Sequence, residues 1–260
     1  MMLKKIVLNI LAKRGLTTIS KERLRALNLA QKQLKYHELA LQYPHRHLDQ
    51  YHKFLNATQS QLKQELFALL ENDFKSEGFF VEFGAADGFT CSNTYLLEKE
   101  FHWKGILAEP GRSCHQRLRE LRDTTIDERC VWSKNDETLN FLQSDAFLLS
   151  TVEGYGDDDA HQNTRKQGQE SYDVKTVTLQ QMLKDHNAPK LIDYLSIDTE
   201  GSEYEILNAF DFDSYQFKTI TVEHNFTAQR EQIYELLTKN GYKRVHEQYS
   251  SYDDWYVLDK

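Results

Sequence analysis

The residues with the clearest chemical potential lie in the segment Phe80–Gly88, where an apolar run stops at two glycines, Gly84 and Gly88. This pattern predicts a buried strand that turns tightly towards a helix, with glycines where a Cβ would collide with a ligand passing close to the backbone. The next apolar run ends at Glu109, and a carboxylate about twenty residues after such a turn can accept hydrogen bonds from both hydroxyls of a ribose. The sequence therefore predicts a nucleoside cofactor at the carboxyl edge of a parallel sheet.

Two carboxylates in this turn, Glu82 and Asp87, indicate the kind of cofactor. A dinucleotide site has the pattern Gly-x-Gly-x-x-Gly, with backbone amides that face a pyrophosphate. Carboxylates repel a pyrophosphate and attract a cation. S-adenosylmethionine carries a sulfonium and an ammonium group, so the turn favours this cofactor over NAD.

A second group of polar residues follows two later strands. Asp198 ends one predicted strand, and Glu223-His224-Asn225 ends the next. These residues could supply three oxygen or nitrogen ligands to one ion, and an oxygen-rich set suits Mg²⁺ or Mn²⁺ better than zinc. Such a metal would lower the pKa of a reacting hydroxyl. His224 could instead be a general base, or a histidine satisfied structurally by a carboxylate at a strand end.

Charge and cysteine content exclude several classes of protein. The 260-residue chain has a net charge of −8, which argues against nucleic-acid binding. Residues 1–36 are strongly basic, and Leu3, Ile6, Val7, Ile10 and Leu11 lie on one face of a predicted helix. This segment predicts either peripheral contact with an anionic membrane or packing and self-association through residues 1–40. The three cysteines lack metal-ligand spacing, so a reducing, cytoplasmic location is expected.

The chain changes character near residue 78. Residues 1–77 read as a helical cap or interaction segment, and residues 78–260 alternate strands and helices in the manner of a doubly wound, mostly parallel sheet. Residues 143–172 are polar and aperiodic, and they predict a lid or substrate loop.

Three blocks resemble one family when they are taken in order. Phe80–Gly88 with Cys91–Lys99 resembles the opening of the FkbM family of S-adenosylmethionine-dependent methyltransferases, and Trp103–Pro110 is similar to its second strand. Ile192–Leu207 resembles the most recognisable block of that family. The resemblance covers residues 78–258.

The resemblance implies a class I methyltransferase fold, with a seven-stranded, mostly parallel sheet and an N-terminal helical extension. It also implies O-methyl transfer, often to sugar hydroxyls. The methionine end of the cofactor would lie near Glu82, the ribose on Glu109 and the adenine beside Val131 and Trp132, while Asn93 would bind the cofactor or cap a helix. The cofactor-binding residues implied are Glu82, Gly84, Ala85, Asp87, Gly88, Asn93, Glu109, Val131 and Trp132.

Metal-using sugar and catechol methyltransferases have ligands at the ends of the fourth and fifth strands, where this chain has Asp198, Glu223 and Asn225. Their usual base position is Gly201 here, which shifts the base role to His224 or Glu200, or to the metal. The resulting hypothesis is a SAM-dependent O-methyltransferase that acts on a saccharide, glycan or glycolipid precursor, with Asp198 also in the catalytic set. The alternatives are an NAD(P)- or nucleotide-sugar-dependent oxidoreductase and a non-catalytic binding protein on the same fold.

Overall fold

The computed structural model describes residues 20–44, 47–156, 162–165, 168 and 170–259. Contacts divide the chain into two compact units, Met1–Gln42 and Tyr43–Lys260. The predicted amphipathic helix around residues 3–11 lies outside the described residues, so membrane contact or self-association through this segment stays a prediction. None of the described helices combines the length and apolar character that crossing a bilayer requires.

The first unit contains helix α1 (Lys21–Ala40). The helix begins after Ser20, whose hydroxyl accepts a hydrogen bond from the Arg23 amide at 3.1 Å and caps the first turn. Leu24, Leu27 and Leu34 are exposed on this helix.

The second unit alternates strands and helices. Its helices are α2 (Leu48–Phe54), α3 (Gln64–Glu71), α4 (Tyr95–Phe101), α5 (Arg112–Leu121), α6 (Gln162–Arg165), α7 (Leu179–Asp185), α8 (Glu203–Asn208), α9 (Gln229–Lys239) and α10 (Glu247–Ser250). Its strands are β1 (Phe79–Phe83), β2 (Lys104–Ala108), β3 (Thr125–Asp127), β4 (Cys130–Trp132), β5 (Thr138–Gln143), β6 (Thr151–Val152), β7 (Glu170–Thr178), β8 (Leu191–Ile197), β9 (Gln216–Glu223), β10 (Tyr242–Val245) and β11 (Asp253–Leu258).

Seven strands form one sheet in the order β3-β2-β1-β8-β9-β11-β10. All neighbouring pairs are parallel except those of β11, which runs antiparallel to both β9 and β10. The predicted seven-stranded, mostly parallel sheet is confirmed. Since β2, β1, β8 and β9 run in the same direction, their carboxyl ends meet at one edge of the sheet, where ligands bind in open α/β folds.

The central strands β1 and β8 are apolar for most of their length, and nearly every residue in them is buried. Such continuous runs are typical of parallel strands that are covered on both faces. Val81, Ile106, Leu195 and Ile220 belong to one buried cluster that fixes these strands relative to one another.

The segment Ile126–Ser133 reads as one strand in the sequence, but it is divided in the structure. β3 pairs with β2 in the large sheet, whereas β4 pairs with β7 in a second, four-stranded sheet of order β4-β7-β5-β6. Glu128 and Arg129 connect the two pieces, and the Arg129 guanidinium donates to both carboxylate oxygens of Asp127. The polar Asp-Glu-Arg sequence therefore marks a change of sheet.

Helices α2 and α3 lie within the same compact unit as the sheet, so the contact division does not coincide with the predicted boundary between residues 77 and 78. Phe67 of α3 stacks on Trp255 of β11 at a centroid distance of 4.7 Å. Gln64 donates a hydrogen bond to the buried Asp253 at 2.8 Å. These contacts attach α3 directly to the large sheet.

Candidate active site

A cavity of about 580 Å³ opens at the carboxyl edge of the large sheet. Its lining comes from the ends of β1, β2, β8 and β9, from β4, and from residues 145–152 of the predicted lid. Of the predicted site residues, Glu82, Gly84, Ala85, Asn93, Glu109, Val131, Asp198, Glu200, Glu223 and Asn225 line it. Asp87, Gly88, Trp132 and His224 do not.

Gly84 and Gly88 adopt left-handed backbone conformations, with φ of 68° and 76°. A Cβ on Gly84 would lie 1.8 Å from the carbonyl oxygen of Asp198, and one on Gly88 would lie 2.5 Å from Leu118. The chain itself therefore fills the space that a side chain at either position would need, which is a sufficient reason for glycine at both.

Glu82 is buried and holds the segment that leads into α4. Its carboxylate accepts hydrogen bonds from the Asn93 amide at 2.7 Å and from the hydroxyls of Ser92 and Thr94. Arg122 lies 3.8 Å from it and also bonds Glu98 at 2.6 Å. Burial raises the pKa of Glu82, and the Arg122 charge opposes that rise. Glu82 therefore both shapes the turn and presents a carboxylate to the cavity.

Asp87 caps the turn after Gly88 and does not face the cavity. Its carboxylate accepts from the amides of Phe89 and Thr90 at 3.0 and 2.7 Å, and from the Thr90 hydroxyl at 2.8 Å. This arrangement is a local Asx-type turn. The geometry gives Asp87 a structural role rather than the predicted contact with the cofactor.

Glu109 lies where the sequence predicts it, buried at the end of β2 with its carboxylate in the cavity wall. One oxygen accepts from the Ala86 amide at 2.7 Å and the other from the Gly111 amide at 2.6 Å. Burial raises the pKa of Glu109 to about 7, against the lowering effect of these two bonds. Each oxygen keeps a lone pair that can accept from a ligand hydroxyl.

Asn93 is also positioned for a ligand. Its amide nitrogen donates to the Ser196 hydroxyl at 2.9 Å, while its amide oxygen is buried without a hydrogen-bond partner. Because buried polar atoms are nearly always paired, an unpaired one in a cavity wall marks a place for a ligand donor.

Val131 lines the cavity from β4, with Phe141 of β5 and Val152 of β6 on the same side. Trp132, the next residue, is buried and meets the ring of Tyr155 edge-on at a centroid distance of 5.3 Å. Strand alternation turns adjacent side chains to opposite faces, so only one residue of the predicted adenine pair reaches the cavity.

Three carboxylates meet near the middle of the cavity. Oxygens of Asp198, Glu200 and Glu223 lie within 4.8 Å of one another. Burial raises the pKa of Asp198 to about 7, and burial with the neighbouring Asp198 charge raises the pKa of Glu223 strongly. Because burial and the neighbouring acidic groups raise both pKa values, this pair holds a proton near neutral pH.

The other predicted ligands lie around this cluster. Asn225 donates its amide N–H to Glu223 at 2.7 Å. Glu200 is paired at 2.6 Å with Arg165, whose side chain is almost fully buried. Arg165 also donates to the carbonyl oxygens of Leu149 and Gly156, which attaches the predicted lid to the cluster.

His224 faces away from the cavity, so the general-base role predicted for it is not supported by the geometry. Its Nδ1 accepts from the Phe226 amide at 3.0 Å, and its Nε2 lies 3.8 Å from Asp254. Burial lowers the pKa of His224. β9 ends at Glu223, and in the turn that follows it Asn225 lines the cavity whereas His224 does not.

We expect His224→Asn to change kcat by less than about threefold, because the Asn oxygen can replace Nδ1 as the acceptor and general-base contributions are far larger, about 10²–10⁴-fold. Steady-state kinetics with the purified variant measure this. A hundredfold decrease in kcat at unchanged cofactor affinity would instead support His224 as the general base.

The cavity also contains residues that the sequence did not indicate. Gln61, from the segment before α3, and Tyr252, which directly precedes β11, both line it. The Tyr252 hydroxyl donates to the Gln61 side-chain oxygen at 3.0 Å. Neither residue belongs to a motif, and only the pairing of distant segments reveals them.

A family model described as the methyltransferase FkbM domain matches residues 82–244. A search of curated proteins found no match to the chain. The matched segment contains all of the predicted site residues, and it contains neither Gln61 nor Tyr252.

Solved structures similar to this chain include three described as methyltransferases or their complexes. A precorrin-6y C5,15-methyltransferase from Geobacter metallireducens GS-15 has 10% identity and a TM-score of 0.42, over 75% of this chain and 87% of that one. A human methyltransferase 10 domain containing protein has 11% identity and a TM-score of 0.38, over 75% and 81%. A complex of the Haloferax volcanii Trm112 methyltransferase activator with a putative methyltransferase gives 8% identity and a TM-score of 0.35, over 78% and 100%.

Proposed function

Because the chain belongs to the FkbM methyltransferase domain family, we propose that it transfers a methyl group from S-adenosylmethionine to a hydroxyl of a saccharide, glycan or glycolipid precursor. The observation that carries the proposal is the single cavity wall that runs from Glu109 to the Asp198–Glu223 pair. This wall places a carboxylate that can accept hydrogen bonds from a ribose in the same cavity as a carboxyl pair that can take a proton. The cytoplasmic location remains part of the proposal and rests only on the free cysteines.

The residues present fit the methyl donor. Glu109 would accept from the ribose hydroxyls, Val131 would contact the adenine, and the unpaired oxygen of Asn93 would accept from a cofactor N–H. Glu82 adds a carboxylate that favours a cation. When bound, S-adenosylmethionine supplies a methyl group made electrophilic by its positively charged sulfur.

The chain must position the acceptor and remove its proton. Holding the acceptor oxygen near the methyl carbon supplies much of the acceleration in such displacements. Asp198 is the proposed proton acceptor, because its pKa of about 7 is close to the working pH, whereas Glu200 is committed to Arg165. Glu223 shares the proton and orients the pair.

Asp198, Glu200 and Glu223 also fit Mg²⁺ or Mn²⁺, since three carboxylate oxygens lie close together and Asn225 is adjacent. In this form of the proposal the ion would replace the shared proton and lower the pKa of the acceptor hydroxyl.

We expect millimolar Mg²⁺ or Mn²⁺ to raise the Tm of the chelator-treated protein by about 2–5 °C. The shift should vanish in Asp198→Asn. Equal Tm shifts in both proteins, or no Tm shift in the wild type, would contradict metal binding at this cluster but would leave the proposed methyl transfer untouched.

The donor identity is tested by calorimetric titration with S-adenosylhomocysteine and with NAD. We expect micromolar binding of S-adenosylhomocysteine, about −8 kcal/mol, and no measurable binding of NAD. Binding of NAD alone would support the oxidoreductase alternative. Binding of S-adenosylhomocysteine without methyl transfer to any acceptor would favour a non-catalytic binding protein.

A further inference from the structure

The order of the strands separates the two ends of the cavity. Glu109 follows β2, Asp198 follows β8, Glu223 ends β9, and Tyr252 precedes the antiparallel β11, so these residues are met in this order along one edge. From β2 to β11 is four interstrand spacings, about 19 Å. With the cofactor at the Glu109 end, the acceptor end is the wall beyond Asp198.

That wall offers uncharged hydrogen-bonding groups. Gln61 and Tyr252 contribute an amide and a phenol, and Asn225 contributes a second amide. Thr199 and Ser202 add hydroxyls. Groups of this kind pair with neutral hydroxyls, as donors and as acceptors.

No Lys, Arg or His is among the described residues that line the cavity, whereas Glu82, Glu109, Asp145, Asp198, Glu200 and Glu223 all line it. The two nearby guanidinium groups are already committed. Arg122 is bound to Glu98 and lies near Glu82, and Arg165 is bound to Glu200. With a divalent cation among Asp198, Glu200 and Glu223, and with Arg165 on Glu200, the three carboxylates balance both cations and leave no positive charge for an anionic acceptor.

Several backbone amides in the loops where a phosphate could bind are also occupied. Phosphates in α/β folds sit on free N–H groups of the loops that follow the strands. Here Glu109 takes the amides of Ala86 and Gly111, and Glu203 takes those of Thr199 and Gly201 at 2.9 and 3.1 Å. The Asn93 amide is taken in the same way by Glu82, and the Thr90 amide by Asp87. A phosphate would therefore meet carboxylates where it needs donors.

We propose, on the premise that the chain is a methyltransferase, that its acceptor is a polyhydroxyl compound that is uncharged or carries an ammonium group near the reacting hydroxyl. The carboxylates in the described part of the wall disfavour nucleotide-activated sugars, phosphorylated sugars and uronic acids. Gln61, Asn225 and Tyr252 hold the neutral hydroxyls of the acceptor.

The test uses the full chain, S-adenosylmethionine labelled in its methyl group, and a small-molecule and lipid extract of the cells that make the protein. Labelled products are separated by anion and cation exchange near pH 7.5, both intact and after hydrolysis to monosaccharides. Asp198→Asn run in parallel gives the background. We expect the labelled product, and its methylated monosaccharide, to pass the anion exchanger.

A labelled product that binds the anion exchanger, and that is lost when the extract is treated beforehand with phosphatase or with nucleotide pyrophosphatase, would overturn the acceptor proposal. Binding that survives phosphatase, with the methylated monosaccharide itself anionic, would overturn it as well. Absence of label from every product, despite binding of S-adenosylhomocysteine, would instead contradict the proposed function.

The salt dependence of KM, measured with the wild-type protein and the purified acceptor, is a second test of the acceptor's charge. Between 50 and 500 mM NaCl, KM should change by less than about twofold for an uncharged acceptor and rise about threefold or more for one with an ammonium group, because salt screens the attraction. A KM that falls with salt identifies an anionic acceptor and contradicts the proposal.

Gln61→Ala should raise the KM for the acceptor about fivefold or more at unchanged affinity for S-adenosylhomocysteine. An unchanged KM would remove Gln61 from the acceptor site.

Discussion

Asp198→Asn should lower kcat for methyl transfer by about 10³-fold, because asparagine cannot take the acceptor's proton and cannot share one with Glu223. Affinity for S-adenosylhomocysteine should change by less than about threefold, since the cofactor contacts lie mainly on β1, β2 and β4. Single-turnover kinetics and calorimetry measure the two quantities separately. The wild-type rate should rise with pH through about 7, as Asp198 loses its proton.

The same substitution should stabilise the fold above neutral pH. The pKa of Asp198 is raised from 3.8 to about 7 in the folded chain, so the wild type loses stability as pH rises through that interval. Asparagine does not ionise, so the variant keeps the stability that the wild type loses over this pH range. We therefore expect the free energy of unfolding of the variant to exceed that of the wild type by about 1–3 kcal/mol at pH 8, with no difference below pH 4.

Asp193→Asn is the matched control, because Asp193 lies on the same strand, β8, towards its opposite end. It pairs with Lys75 and Lys218 at 2.7 Å and accepts from the Phe79 amide. Its replacement should lower stability by about 1–3 kcal/mol and leave kcat unchanged. An Asp198→Asn variant that retained activity, or a control that lost it, would contradict the assignment of Asp198 as the base.

Glu109→Ala should weaken binding of S-adenosylhomocysteine by about a hundredfold, since hydrogen bonds to a charged group contribute about 1.5–3 kcal/mol. The substitution also removes the acceptors of the Ala86 and Gly111 amides, so some general loss of stability is expected. The measurement must therefore separate a ribose contact from damage to the turn.

Comparison of adenosine with 2′,3′-dideoxyadenosine makes that separation. In the wild type, adenosine should bind at least about tenfold more tightly, because only it can donate to Glu109. In Glu109→Ala the two affinities should become equal, whatever the general loss. If the variant still prefers adenosine tenfold, the ribose lies elsewhere in the cavity.

Local signals predicted the parts of the site that are local in the chain. Gly84, Glu109 and Asp198 each follow an apolar strand, and the parallel topology alone brings strand ends to one edge. The structural role of Asp87 could also have been predicted locally, because Asp87-Gly88 is a typical turn in which the aspartate caps its own backbone.

Other features depend on contacts between segments that are distant in the chain, and the hydrophobic pattern of the sequence does not predict such contacts. The division of the predicted strand at Glu128-Arg129 depends on which partners its two halves find. Gln61 reaches the cavity only because α3 packs on β11, and Arg165 reaches Glu200 only through the fold of the lid. The tertiary structure supplies these residues.

The division between β3 and β4 has an evolutionary consequence. Val131, Phe141 and Val152 line the cavity from a small sheet that the chain enters from β3 through only two residues, Glu128 and Arg129. Insertions and substitutions in that small sheet can alter the shape of the wall while Glu109 and Asp198 keep their places on the large one. Under the proposed function, relatives can thus keep the ribose contact and the proton acceptor while the wall beside the adenine changes.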